Sequence, residues 1–264
     1  MDWLLFLPLM LLPWLATFLG TMFGLVVNMN SPKRQGALLG FAAGVMLASS
    51  VWSLVIPAFE EAGSGPRAVV VVTLGFFLGC ALILLLDKLL PHQHAGDDAP
   101  EGRPSHLSRP MLLVMAVALH NIPEGLALGI VLSAAMQPGG MTPWLAVAFG
   151  IGLALQNFPE GMAVVLPMRQ AGMPAKKIRR FGILASFAEP AAALLAFFGA
   201  NLLMKLDGLF LPLILAVAAG AMVFIIVEQL IPESQVSSEG HGHGATYGFL
   251  VGFWVMVALS VLGG

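Results

Sequence analysis

Two segments of the chain carry the same short pattern of groups able to bind a cation. His120-Asn121-Ile122-Pro123-Glu124-Gly125 and Gln156-Asn157-Phe158-Pro159-Glu160-Gly161 share Asn-x-Pro-Glu-Gly. On a helix, His120 and Glu124 lie four residues apart and stack on one face, with Asn121 three residues from Glu124. An imidazole nitrogen, a carboxylate oxygen and an amide oxygen can then converge on one point. Gln156, Asn157 and Glu160 repeat that geometry. Pro123 lacks a backbone N–H and clashes with the carbonyl of Leu119, which kinks a helix and frees a carbonyl beside His120. Gly125 and Gly161 permit another helix to approach closely. Glu189-Pro190 adds a third carboxylate beside a proline.

These carboxylates, together with Glu228, fall inside long apolar runs. Burying one in a bilayer costs at least ~2.5 kcal/mol on insertion scales. No Lys or Arg lies in the interior of those runs to neutralise Glu124, Glu160 and Glu189; Arg179 and Arg180 stand only at the edge of one. Something else positive must visit them, either protons or metal ions. A mixed nitrogen and oxygen set suits zinc, iron, manganese and related first-row dications. His120 argues against Ca²⁺ and Mg²⁺, which favour oxygen alone. A single membrane histidine can equally bond across a bundle, and a lone glutamate can relay protons. The duplicated pattern with its third carboxylate favours a shared cation site.

The elements that position these residues follow from composition. The 264 residues are 58% hydrophobic and 10% charged, against about 25% charged in soluble domains. That excludes a soluble enzyme, a disordered chain and a nucleic-acid binder. Cys80 is the single cysteine, so neither a disulfide framework nor a Cys-based zinc finger is available. A net charge of −2 implies no electrostatic partner. The expected fold is an all-α polytopic membrane protein embedded in a lipid bilayer, a single transmembrane unit over 1–264. Eight spans are predicted at about 3–27, 36–58, 67–89, 110–136, 143–168, 179–203, 209–231 and 246–263. The first begins without a basic flank and is too long for a cleavable signal. The runs lack the alternation of barrel strands.

The basic residues predict the orientation. Lys33, Arg34, Lys88, Arg103, Arg109, Arg169, Lys176, Lys177, Arg179 and Arg180 lie in or beside odd-numbered loops; only Arg67 and Lys205 flank even ones. Odd loops are therefore expected in the cytoplasm, with both termini outside. The one long loop, 91–109, is then cytoplasmic and polar, and carries His92-Gln93-His94. A shorter loop carries His241-Gly242-His243. Either pair could hold exiting metal or simply be solvated.

A second internal similarity joins AAGVM (42–46) to AAGAM (218–222), each followed by Ile-Pro. These segments lie in spans two and seven, which run in opposite directions. They predict an inverted repeat relating spans 1–3 to spans 6–8 around central spans 4–5. The competing explanation is that small residues recur wherever membrane helices pack.

HNIPEG and QNFPEG in consecutive spans resemble the paired signature of the ZIP (Zrt-/Irt-like protein) metal transporters, in particular the bacterial GufA-like branch. Eight spans, external termini and a His-containing third loop resemble it too. The resemblance implies uptake of divalent metal into the cytoplasm, with zinc the leading substrate and cadmium, iron and manganese as alternatives. It implies a two-bundle fold in the cell membrane, working by elevator-type alternating access, and makes a homodimer plausible. Carried over by motif, the ligands would be His120, Glu124, Gln156 and Glu160, with Asn121, Asn157 and Glu189 completing an adjacent second site. Met46 matches a soft-ligand position, or is a packing methionine. Glu228 would line the exit, or reach water at the interface. Many members have His where this chain has Gln156, and a carboxylate where it has Asn157. No resident cofactor is implied. The absence of HExxH and GxSxG, with His120 the one histidine well inside a span, argues against a membrane-embedded metalloenzyme, the lesser alternative. A cation-conducting channel is the main alternative.

Overall fold

The structure, a computed structural model, describes residues 3–27, 31–93, 99–138, 140–205, 209–236 and 243–262. Eight helices are long and apolar enough to cross a membrane: Leu4–Val26, Lys33–Ala62, Pro66–Leu89, Met111–Met136, Pro143–Gln170, Ala175–Met204, Phe210–Gln235 and Gly244–Val261. They are called the first to eighth spans. Among the described residues there is no strand, only an isolated bridge between His92 and Glu101. Spans two, six and seven outrun their predicted ends by several residues. Hydropathy marks the apolar centre, whereas helical hydrogen bonding continues into polar flanks such as Glu60-Glu61 and Ala175-Lys176-Lys177.

Proline shapes the long spans locally. Spans two and seven each contain one π-helical turn, Val51–Val55 and Ile226–Leu230, directly before Ile56-Pro57 and Ile231-Pro232. A proline ring crowds the carbonyl four residues back. Here those carbonyls belong to Ser53 and Glu228, inside the widened turns, where the extra residue makes room. Spans five and six instead break, at Val164 ahead of Pro167 and at Phe187 ahead of Pro190.

The tightest pairings join the second span to the eighth, the fourth to the sixth, the first to the fifth and the third to the seventh. Two sets of four helices result: spans one, four, five and six, and spans two, three, seven and eight. The second and fifth spans, and the fourth and seventh, link the sets. In a bilayer such pairing relies on close van der Waals fit, because the surrounding lipid is as apolar as leucine. Gly125 and Gly161 show how close the fit is. A methyl group at Gly125 would overlap the carbonyl oxygen of Glu189, and one at Gly161 that of Thr17.

The main core includes the fully buried Met46, Leu128, Leu132, Phe149, Leu153 and Met222. Val69, Leu74, Phe77 and Leu78 of span three, and Leu250, Val251 and Trp254 of span eight, remain exposed, as lipid-facing residues should be.

Candidate metal centre

The two Asn-x-Pro-Glu-Gly segments sit side by side on spans four and five, and Glu189 joins them from span six. The break at Phe187 places Glu189 in the first turn of a new helix, where the exposed N–H groups favour a negative charge. Asn121, Glu124, Gln156, Asn157 and Glu189 are buried, and Glu160 is half-buried.

Two amide groups tie the three spans together. Gln156 Nε2 donates to Glu124 Oε1 at 2.7 Å. Asn157 Nδ2 donates to Glu189 Oε2 at 2.8 Å. Asn121 Nδ2 donates to the carbonyl of Ala185 at 3.4 Å, holding span four against span six. Glu160 stands one helical turn from Gln156 and Asn157 on the same span. Among the described residues, no Lys or Arg forms an ion pair with any of the three carboxylates.

With the amide N–H groups turned to carboxylates, the acceptor ends are left over. Glu124 Oε2, Gln156 Oε1, Asn157 Oδ1, Glu160 Oε1 and Glu189 Oε1 are buried and have no hydrogen-bond partner among the described residues. An unmet buried polar atom costs on the order of 1–3 kcal/mol, so five together need a reason. They are acceptors without a donor, from side chains carrying up to three negative charges. That set meets the needs of a dication: lone pairs, excess negative charge and exclusion of water.

His120 is half-buried and lines a cavity with Ile83, Leu86, Asp87, Leu119, Ile225 and Gln229. The cavity therefore connects the fourth span to the third and seventh. Beyond it, His92 is wholly buried. Its Nδ1 lies 2.8 Å from the Leu90 carbonyl, and its Nε2 lies 3.1 Å from Asp87 Oδ1 and 3.8 Å from Glu101 Oε2. One ligand atom from each of Asp87, His92 and Glu101 falls within 4.8 Å of the others. The carbonyl contact orients Nε2 toward the carboxylates, as in many metal-binding histidines.

Six of the expected residues, Asn121, Glu124, Gln156, Asn157, Glu160 and Glu189, thus belong to spans four to six around the carboxylates, while His120 lines the neighbouring cavity. Met46 is fully buried in the main core, as is Met222 at the matching place in span seven. Glu228 is exposed beside Val227, whereas its neighbour Gln229 is buried and lines the cavity. The helical spacing Ala218, Met222, Ile225, Gln229 marked that inward face and put Glu228 out of phase with it. The pairing of Asp87 and Glu101 with His92 was not legible in the sequence. The solvated reading of the histidine loop fails for His92, because the His92–Glu101 bridge folds it inward. His243 is exposed, with its ring 5.9 Å from that of Tyr247. His94 and His241 lie outside the described residues.

The family profile described as "ZIP Zinc transporter" matches residues 92–260. Human "Zinc transporter ZIP11" is 32% identical, over 94% of this chain and 94% of its own. "Zinc transporter GufA" of Myxococcus xanthus is 35% identical, over 95% of this chain and 96% of its own. "Zinc transporter ZupT" of Corynebacterium glutamicum is 37% identical, over 94% of each. All are named as transporters rather than enzymes.

Proposed function

The chain belongs to the ZIP zinc transporter family, in its GufA-like branch, and on that premise we propose that it carries divalent metal, zinc foremost, into the cytoplasm by alternating access. The observation that carries the site is the set of five buried oxygens without donors around Glu124, Glu160 and Glu189. In this reading His120, Glu124, Gln156 and Glu160 bind the ion, and Asn121, Asn157 and Glu189 form the adjoining shell. Met46 packs the core, and Glu228 is an interfacial carboxylate.

The ion leaves the carboxylates past His120, through the cavity toward Asp87, His92 and Glu101, on the side where positive charge predicts the cytoplasm. Cadmium, iron and manganese suit the same donors.

The helix pairing supports an inverted repeat. Exchanging spans one with six, two with seven, three with eight and four with five turns each tight pair into another tight pair. The second–eighth contact becomes the seventh–third, and the fourth–sixth becomes the fifth–first. The two links between the helix sets exchange as well. Such a fold offers two states of similar energy, open to opposite sides. The set holding all three carboxylates would then slide against the other as an elevator.

Purified protein in liposomes loaded with a zinc-sensitive dye tests the proposal. Saturable zinc entry that is lost in Glu124→Gln is expected. Zinc-independent conductance under voltage without saturable entry would instead indicate a channel.

A further inference from the structure

The turn between spans five and six concentrates positive charge. Arg169, Lys176, Lys177, Arg179 and Arg180 fall within twelve residues, and no carboxylate occurs between Glu160 and Glu189. All five are exposed, and among the described residues none is in an ion pair.

The opening helix of span six, Ala175–Ser186, divides cleanly. Ile178, Gly182, Ala185 and Ser186 are buried, in a stripe of helical spacing packed against spans one and four. Lys176, Lys177, Arg179 and Arg180 occupy the remaining surface. Further along the span, Leu184 is 66% and Phe187 55% exposed. At about 1.5 Å per residue, Phe187 lies roughly 16 Å along the axis from Lys176. The cations therefore stand at headgroup depth while the exposed apolar side chains reach into hydrocarbon. Lys and Arg stems can lie along the apolar surface with their charges at the interface.

We propose that this segment is a docking surface for anionic phospholipid headgroups. Exposed cations at the membrane boundary, over a lipid-facing apolar strip, fit a phosphate-bearing headgroup above its acyl chains. The surface is fixed rather than floppy. Gly182 packs on Thr21, and Arg169 Nη2 donates to the Leu25 carbonyl at 2.6 Å, tying the turn to span one. It is also continuous with the metal centre. The Ala185 carbonyl on the same helix accepts the Asn121 hydrogen bond, and Glu189 lies one turn beyond. Bound headgroups would hold the basic end of the site-bearing helices at the membrane surface.

The test uses the full chain in phosphatidylcholine vesicles with a trace of spin-labelled phosphatidylglycerol or spin-labelled phosphatidylcholine of the same acyl chains. The fraction of immobilised label is measured. Phosphatidylglycerol should associate at least about fivefold more strongly, and salt at about 0.5 M should remove most of the preference. Lys176→Gln/Lys177→Gln/Arg179→Gln/Arg180→Gln should abolish it, whereas Lys33→Gln/Arg34→Gln on the other helix set should keep most of it. If the fourfold variant does not fold, the two double variants, 176/177 and 179/180, should each lose part of it. Equal association of the two lipids, or a preference unchanged in the folded variants, would overturn the proposal. So would full displacement by about 10 mM inorganic phosphate, which would indicate a site for small anions instead.

Discussion

Gln156 and Glu124 stand 32 residues apart in sequence and are joined by a 2.7 Å hydrogen bond; Asn157 and Glu189 repeat the same separation at 2.8 Å. Consecutive amides on span five thus each hold a carboxylate from a different neighbour. Each amide spends its N–H on a carboxylate and presents its oxygen to the space between. The two amides at 156 and 157 organise the carboxylates without adding charge of their own.

Charge should decide transport. Glu124→Gln and Glu160→Gln change shape little but remove negative charge from a site where a dication cannot be held by neutral groups alone. Both variants should fold and reach the membrane, yet take up zinc at least about tenfold more slowly, since losing one charged partner costs about 1.5–3 kcal/mol. Normal saturable uptake by both, in dye-loaded liposomes, would remove these residues from the site.

Protons should compete through His120. Imidazole binds metal only when neutral. Zinc affinity, measured by titration calorimetry, is expected to fall as pH drops below neutrality, and His120→Ala to bind more weakly with a flatter pH profile. An unaltered profile in that variant would leave the carboxylates in sole control and give His120 a structural part.

One metal per chain is the expected stoichiometry. Glu124, Glu160 and Glu189 supply three negative charges when ionised, so one dication leaves −1 and two leave +1 in a medium where excess charge is costly. Asn157→Asp adds a fourth charge and replaces a hydrogen-bond donor facing Glu189 with a repelling carboxylate. The variant should lose stability without metal and bind about two zinc ions where the parent binds about one. Equilibrium dialysis with elemental analysis distinguishes these; two tight zinc ions in the parent would refute the charge count.

The loop after span three should depend on His92. The backbones of His92 and Glu101 exchange hydrogen bonds of 3.2 and 2.9 Å around the buried imidazole. His92→Ala removes the group between Asp87 and Glu101. Amide hydrogen exchange at 92 and 101 should then rise about tenfold or more, with zinc affinity at the central carboxylates little changed. Unchanged exchange would show that the bridge holds without the ring.

Much of this protein can be read along one dimension. Eight spans follow from hydropathy because lipid forces every backbone group to bond within its own helix. The pairing of His120, Asn121 and Glu124 on one face follows from the helical repeat, as does the inward face marked by Met222, Ile225 and Gln229. What lies between helices was not legible. No local rule states that Gln156 turns its N–H to Glu124 rather than its oxygen, because that choice depends on a carboxylate 32 residues away. Nor does spacing alone bring Asp87 and Glu101 to His92. That contact is made beside Gly102, whose φ of +75° and close fit against the Leu90 carbonyl exclude a side chain. Local periodicity sets which face of a helix a residue occupies. Only packing decides which other face it meets, and that choice brought scattered carboxylates and amides together across spans four to six.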